Sequence, residues 1–579
     1  MRALIRHSFT IFLMLVLSMP GFAAEAPNIS IDGADEDLRN NILNHLRIGG
    51  ESCDTGMGRL LRLQNQVRTN TERAANALGY YKSSIDLRFS SDDTCWSLLI
   101  EIEPGEPVLI GDLNIALNDE QAPVIFSDII AASPLNPGQQ LNHGLYENLK
   151  NELSATAVEN GYFAARFLRS EIAIDLINNR ADIDLVFAPG PQFYFGEVSL
   201  NNFSALDSEF VRSLIGIREG EAYSNDTLMN LRNNLDQSQY FSQIAINPQL
   251  AKAQNQSVPL SITLEPRPRY AYSAGLGFTT DTGPRIRLGY GNRYQTRRGH
   301  RLDSDISLSK IRFQSNLHYT VPIRRNPLRE SLQYAAGYIR EDNDTFDSKR
   351  VEVETAYRNQ SESGWLRNTF INYQRDSYVI NTESDVSNLA ILGFNLSKTQ
   401  ADDLINPRRG WKFFSEISGA SSAVISDTSF IQTNINGSRV HSLNQLTRLL
   451  LRFNSGFTWI DDREELPVSL RFLAGGDQSL RGYKYRTLGP VDENNTIVGG
   501  KHLLSSNLEV DYLFRPGWRV ALFTDGGNAF NEFDDIDWKQ SIGVGVRWLS
   551  PIGPLRFDLA HTLNDNEGFR IHVTMGPDL

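Results

Sequence analysis

The chain has 579 residues, 40% of them hydrophobic, so several domains with folded cores are expected. Its net charge of −13 argues against nucleic acid as a partner. Past the first few dozen residues no stretch approaches the roughly 18 consecutive apolar residues of a membrane helix, which leaves a β-barrel as the only way to cross a bilayer.

Residues 1–24 read as a secretory signal peptide: basic Arg2 and Arg6, an apolar run from Ile11 to Met19, a breaker at Pro20-Gly21, and small Ala23 and Ala24. A membrane anchor is the alternative, but the run is short and no stop-transfer charges follow it. In an exported chain the two cysteines, Cys53 and Cys95, are expected to form a disulfide, with two free buried thiols as the alternative. Such a bond closes a loop of about forty residues and stabilises its domain by roughly 3 to 4 kcal/mol.

The amino-terminal half repeats. PGEPVLIGDLNI at 104–115 matches PGPQFYFGEVSL at 189–200, with Pro104 over Pro189, Gly105 over Gly190 and Gly111 over Gly196. A second marker recurs about every 80 residues: LGYYKSSI at Tyr80-Tyr81, NGYFAARF at Tyr162-Phe163 and SQYFSQIA at Tyr240-Phe241. Repeats of this length are small domains rather than solenoid units. The third unit shows the order most clearly. A strand near Val198–Leu200 precedes a helix near Glu209–Ile215. A second helix over Asn225–Gln237 carries Leu228, Leu231 and Leu235 at helical spacing, and two strands follow. The order β-α-α-β-β gives an α+β domain with helices on one face of a three-stranded sheet. We delimit such units at 25–104, 105–189 and 190–266. They resemble POTRA domains, the periplasmic modules of outer-membrane assembly barrels. The resemblance implies docking of extended client segments on an exposed sheet edge, with a spacer role as the alternative.

From residue 267 to 579 the pattern has period two. Tyr270, Tyr272, Ala274, Leu276 and Phe278 alternate with Ala271, Ser273, Gly275 and Gly277. Leu449, Leu451 and Phe453 alternate with Arg448, Arg452 and Asn454, and Ile542, Val544, Val546 and Trp548 with Ser541, Gly543, Gly545 and Arg547. About sixteen such segments, apolar outward and polar inward, predict a transmembrane antiparallel β-barrel of about 16 strands. A soluble sandwich would not alternate charge inward over so many long strands.

One gap interrupts the pattern. About forty residues after the eleventh segment hold FLAGGDQSLRGYKY at 472–485, and long ordered loops tend to be functional. The next two strands place Asn507, Glu509 and Asp511, then Arg519, Phe523 and Asp525, on the inward phase. The motif Gly475-Gly476 with Ser479-Leu480-Arg481-Gly482-Tyr483, the FTDGGNAF segment and the closing GVGVRWLSPIGPLRFDLA resemble the signature of the BamA/TamA superfamily of outer-membrane assembly barrels. The resemblance implies that the loop folds back into the lumen, with Arg481 held by Asp525 and by Glu509 as a second acid. A guanidinium suits such pinning because its fork meets carboxylates bidentately. Three POTRA-like units ahead of a barrel of about 310 residues resemble the TamA branch. The carboxy-terminal MGPDL lacks the terminal aromatic common in outer-membrane strands.

No nucleophile elbow, H-E-x-x-H helix or P-loop is present, so no enzyme, cofactor or metal is expected. Acid pairs such as Glu341-Asp342 and Asp534-Asp535 read as solvated loops. The resemblance implies an insertase of a Gram-negative outer membrane that assembles β-barrel clients, autotransporters among them. Its POTRA domains would lie in the periplasm, reaching toward a TamB-like, inner-membrane-anchored partner. Its working edge is expected at the barrel seam, between the first strand with Gly275 and Gly277 and the last with Phe569, Ile571, Val573 and Gly576. A two-partner-type secretion pore for one exoprotein and a tether between envelope layers are the alternatives.

Overall fold

A computed structural model describes residues 27–579 except 93, 120, 202–204, 381–382, 551–552, 566–567 and 577–579. The expected signal peptide lies outside the described residues. Three α+β domains come first. One comprises β1 (Asn28–Asp32), α1 (Glu36–His45), α2 (Met57–Ala77), β2 (Ser84–Ser91) and β3 (Trp96–Glu103), in sheet order β1-β3-β2. The next comprises β4 (Leu109–Leu117), α3 (Val124–Ala131), α4 (His143–Glu159), β5 (Arg166–Asp175) and β6 (Arg180–Ala188), in order β4-β6-β5. The third comprises β7 (Tyr194–Asn201), α5 (Ser208–Ile215), α6 (Asn225–Gln237), β8 (Phe241–Pro248) and β9 (Ser257–Pro266), in order β7-β9-β8.

In each domain the last strand is central, because it alone carries an unbroken alternation of apolar residues toward the helices. Trp96, Leu98, Ile100 and Ile102 of β3 are buried against Leu38 and Ile42 of α1 and Leu60, Val67 and Ala74 of α2. Helix starts are fixed by side-chain caps: Asp35 accepts from the Leu38 amide at 2.8 Å, and Asn142 from the Gly144 amide at 2.9 Å. Cys53 and Cys95 are bonded, their Cα atoms 4.3 Å apart, and Trp96 Nε1 donates to the Ser52 carbonyl beside them at 2.9 Å.

The repeated tyrosine motif marks one device used three times. The second helix of each domain ends on a left-handed residue: Gly79 at φ 85°, Gly161 at φ 79° and Gln239 at φ 61°. In the first two the aromatic that follows turns back, so that the Tyr80 amide bonds the Ala75 carbonyl at 3.0 Å and the Tyr162 amide the Ala157 carbonyl at 2.7 Å; in the third the Tyr240 amide bonds the Ser238 hydroxyl at 3.4 Å instead. Glycine takes this conformation without strain in two of the three repeats.

The barrel begins with β10 (Tyr270–Thr279), β11 (Gly283–Asn292), β12 (Arg301–Leu308), β13 (Arg312–Pro322), β14 (Glu330–Asp342), β15 (Asp347–Gln360), β16 (Leu366–Ile380) and β17 (Glu383–Ala401). It continues with β18 (Arg409–Ala420), β19 (Phe430–Ser442), β20 (Thr447–Trp459), β21 (His502–Arg515), β22 (Trp518–Phe530), β23 (Lys539–Ser550), β24 (Gly553–Thr562) and β25 (Phe569–Met575). These sixteen strands pair antiparallel in chain order and close β25 against β10. Leu276, Ile371, Leu392 and Leu522 are exposed on the outer wall, as residues that face lipid should be. Among the described residues no helix is long and apolar enough to cross a membrane.

Residues 197–218, 228–250 and 259–579 form one compact unit, in which the third domain's helices pack on the rim where the chain enters the barrel. Tyr240 Oη donates to the Gly299 carbonyl at 2.5 Å, and the Arg301 guanidinium lies 4.4 Å from the Tyr240 ring. The Asp207 amide bonds the Arg297 carbonyl at 2.8 Å. We call this the entry rim, and the opposite one the far rim.

Candidate functional site: a lumen loop clasped across the barrel seam

The segment between β20 and β21 leaves the far rim and folds back into the lumen. Its tip is a tight turn. Gly475 and Gly476 take φ of 101° and 99°, the Ser479 hydroxyl accepts from the Gly475 amide at 2.8 Å, and the Gly476 amide bonds the Leu480 carbonyl at 3.1 Å. Leu480 and Tyr483 are fully buried, with Ala474 and Leu488 packed beside them. Thus the apolar residues anchor the loop and Arg481 is presented between them.

Three carboxylates receive Arg481. Asp525 of β22 accepts from Nε at 2.9 Å, from Nη2 at 2.7 Å and from the Arg481 amide at 3.0 Å. Glu509 of β21 accepts from Nη1 at 2.8 Å, and Asp558 of β24 from the same nitrogen at 3.3 Å. The guanidinium also lies 3.4 Å from the centre of the Phe523 ring. A second guanidinium, Arg547 of β23, shares the acids: it donates to Glu509 at 3.0 and 2.9 Å and to Asp558 at 2.5 Å. All five charged groups are buried, and such a cluster is stable only because each lone pair and donor finds a partner. Nearer the entry rim, Arg448 and Arg519 share Asp511 in a separate layer.

Gly482 touches the wall. Its amide bonds Ser541 Oγ at 3.2 Å, and a Cβ there would lie 2.6 Å from Ser541 Cβ and 2.9 Å from Thr562 Cγ2. Tyr483 Oη donates to Asp565 at 2.9 Å, an acid that Lys539 also contacts at 3.0 Å.

The loop reaches both sides of the seam. On the last strand, His572 Nε2 donates to the Arg481 carbonyl at 2.5 Å. Asp281, in the turn after the first strand, accepts from the Asp477 amide at 2.6 Å and has its other oxygen 3.6 Å from His572 Nδ1. The direct closure is slight. Among the described residues, Thr279 is the one residue of β10 that pairs with β25, opposite Thr574. The Thr280 amide adds one bond to the Val573 carbonyl at 3.1 Å. No described residue lies within 4 Å of where a Cβ would stand at Gly275 or Gly277; Phe569 and Ile571 are exposed, and the Gly576 amide bonds the Pro554 carbonyl at 3.0 Å.

The structure therefore brings Arg481, Asp525 and Glu509 together and places the seam glycines on an edge where, among the described residues, few pairs form. Sequence reasoning missed Asp558 and Arg547 as members of the cluster, although their inward phase was visible. It missed His572, Asp281 and Asp477 altogether. It also read Glu341-Asp342 as solvated, whereas Glu341 is buried and accepts from Arg486 of the lumen loop at 2.9 Å. The loop's return into the lumen is what withdraws that acid from water.

The profile of the Omp85 superfamily domain matches residues 250–578. A profile described as POTRA domain TamA domain 1 matches residues 28–104, and a POTRA profile described as surface antigen variable number repeat matches 193–267. The outer membrane protein assembly factor BamA of Nitratidesulfovibrio vulgaris is 24% identical over 410 residues, 68% of this chain and 51% of the relative. BamA of Neisseria meningitidis serogroup B is 20% identical over 564 residues, 84% of this chain and 68% of the relative. The chain thus spans about half the length of the first of these relatives. The crystal structure of BamA from Haemophilus ducreyi lacking POTRA domains 1–3 superposes with a TM-score of 0.67 at 16% identity, covering 81% of this chain and 99% of that one, a likeness of fold. With more than half its residues matched by the superfamily profile, the chain belongs to the Omp85 superfamily, with POTRA domains ahead of an outer-membrane β-barrel.

Proposed function

We propose that the chain is an outer-membrane assembly factor of the TamA type, which helps β-barrel clients, autotransporters among them, to insert or cross. One observation carries the proposal: among the described residues β10 meets β25 at one of its ten residues, in a barrel whose neighbouring ladders are continuous. An unpaired edge is a template for an incoming strand, and a client hairpin that pairs there extends the sheet without exposing backbone groups to lipid. The Arg481 clasp sets how readily the edge is offered, because the loop it holds contacts the elements on both sides of the seam. The match of residues 28–104 to a TamA-type POTRA profile supports the branch. On this reading the POTRA domains face the periplasm, dock clients on their exposed edges and meet a TamB-like partner anchored in the inner membrane.

A dedicated secretion pore is the second reading. A cavity of about 700 Å³ favours it, since it leaves part of the lumen open and its lining includes Arg285, Lys412 and Arg452. Quantitative comparison of outer-membrane proteins with and without the chain separates the two. Depletion of several barrel proteins, with small conductance in planar bilayers, is expected of the assembly factor. Loss of a single exported protein, with large steady conductance, would replace it with the pore.

A further inference from the structure

We propose that the outer wall of the barrel carries a site for an anionic glycerophospholipid near the entry rim, built from Lys398 and Arg439 over an aromatic groove. Strand phase places the residues. Leu392 and Phe394 of β17 are exposed on the outer wall, and the same phase carries Lys398 outward. Ile417 does this for Trp411 and Phe413 on β18, and Ile431 for Gly437 and Arg439 on β19. Leu451 and Phe453 of β20 are themselves exposed outward.

Register sets them side by side in two adjacent rows. Lys398 stands opposite Phe413, Phe413 opposite Gly437 and Gly437 opposite Phe453. One step nearer the entry rim, Trp411 stands opposite Arg439 and Arg439 opposite Leu451. A cavity of about 330 Å³ opens over these rows, lined by Trp365, Trp411, Phe413, Arg439, Leu451 and Phe453. Gly437 shapes its floor: a Cβ there would lie 2.2 Å from the Phe453 ring, so the ring lies flat on the wall only because glycine stands beneath it.

The groove carries charge at its edge. Lys398 Nζ lies 5.7 Å and 5.5 Å from the Trp365 and Trp411 ring centres, which are 5.8 Å apart, and is held between two indoles. Arg439 is exposed one row away. Neither forms an ion pair with a described residue, although the chain as a whole is acidic. Two unneutralised cations beside an apolar trough at the membrane interface match one chemistry: a phosphodiester headgroup for the cations and part of an acyl chain for the trough. Ordinary interfacial tryptophan and lysine residues anchor a barrel without binding a particular lipid. Here Arg439, two indoles and Phe453 line one cavity, and Lys398 stands over the same two indoles at its edge. With the POTRA side in the periplasm, as proposed above, the lipid belongs to the periplasm-facing leaflet, but its binding is measured without any client.

The folded full-length chain in detergent is titrated with phosphatidylglycerol and, separately, phosphatidylcholine, and bound lipid is counted by native mass spectrometry. One phosphatidylglycerol is expected to bind in preference. Lys398→Gln combined with Arg439→Gln is expected to weaken it about thirtyfold, with phosphatidylcholine unaffected. Arg375→Gln, which removes an exposed outward cation near the far rim, is expected to change nothing. Should the double variant not fold, Arg439→Gln alone is expected to lower affinity in the same direction. Absence of a phosphatidylglycerol preference overturns the proposal. So does its survival in the double variant, an equal effect of Arg375→Gln, or occupation of the groove by a co-purifying protein.

Discussion

A guanidinium withdrawn from water is tolerated only where its donors meet acceptors, and Arg481 meets three carboxylates and an aromatic face. Truncating one member leaves the others buried and unpaired, which costs about 3 to 5 kcal/mol in such clusters. Arg481→Ala is therefore expected to lower the unfolding midpoint of the barrel, read as the temperature at which its electrophoretic mobility shifts. Asp525→Ala should do nearly the same, and the double variant should fall well short of the sum. Strict additivity would show that the two side chains act apart. Arg481→Lys should fail almost as badly, because one ammonium cannot bridge Asp525 bidentately and reach Glu509 as well. Beside it, Gly482→Ala sets a methyl group against Ser541 and Thr562 of the wall. It is expected to loosen the loop, seen as faster protease cleavage within 472–485, and Ser541→Gly in the same chain should restore part of the protection. Arg481, Asp525 and Glu509 were legible because inward phase on two consecutive strands and a resembling motif pointed to one spot. Asp558 and Arg547 had the same phase but lie on strands further along the wall, and sequence alone does not say how deep into the lumen a loop descends.

At the scale of elements, the loop and the seam depend on one another through Asp477, Asp281 and His572. Loss of solvent, and then the facing Asp281 carboxylate, push the Asp477 carboxyl up to about 7; Asp281 is raised too, by burial first. His572, Arg452 and Arg570 are the other charged or titratable groups that act on the pair. A carboxyl whose folded value lies above its ordinary one binds its proton more tightly in the folded state. Its contribution is therefore full below about pH 4, the ordinary carboxyl range, falls progressively above it, and is fully lost once pH has risen through about 7. Loop protection from protease is expected to fall between about pH 4 and pH 7 and to level off above that, and Asp477→Asn should flatten that dependence. An unchanged slope in Asp477→Asn would assign the pH effect to other groups. None of this was legible in the sequence: a turn, a loop tip and a strand about three hundred residues apart meet only after the barrel closes. The strands themselves were legible, since period-two alternation survives wherever one wall meets lipid and the other water. Glu341 shows the limit of that reading, because its environment is supplied by Arg486 from another element.

Across the whole molecule, the repeats and the barrel were visible for different reasons. The tyrosine motif recurs because each domain needs a left-handed residue at one helix end just before the aromatic, and such backbone requirements leave marks in sequence. The register at the seam leaves none, since Thr279 and Thr574 look like any other strand residues. The disulfide belongs to the first domain alone, so Cys53→Ala with Cys95→Ala is expected to destabilise that domain by roughly 3 kcal/mol while the barrel's thermal transition stays in place. Isolated-domain denaturation and the full chain's mobility shift test the two halves of that statement. The account rests most heavily on the free edge of β10. Thr279→Cys with Thr574→Cys places two thiols on directly opposed residues and ties the edge to the last strand when oxidised. Insertion of radiolabelled barrel clients into vesicles bearing the oxidised chain, compared before and after reduction, is the most direct test. Folded but inactive locked barrels that recover on reduction are predicted; full client insertion by the locked form would contradict the account.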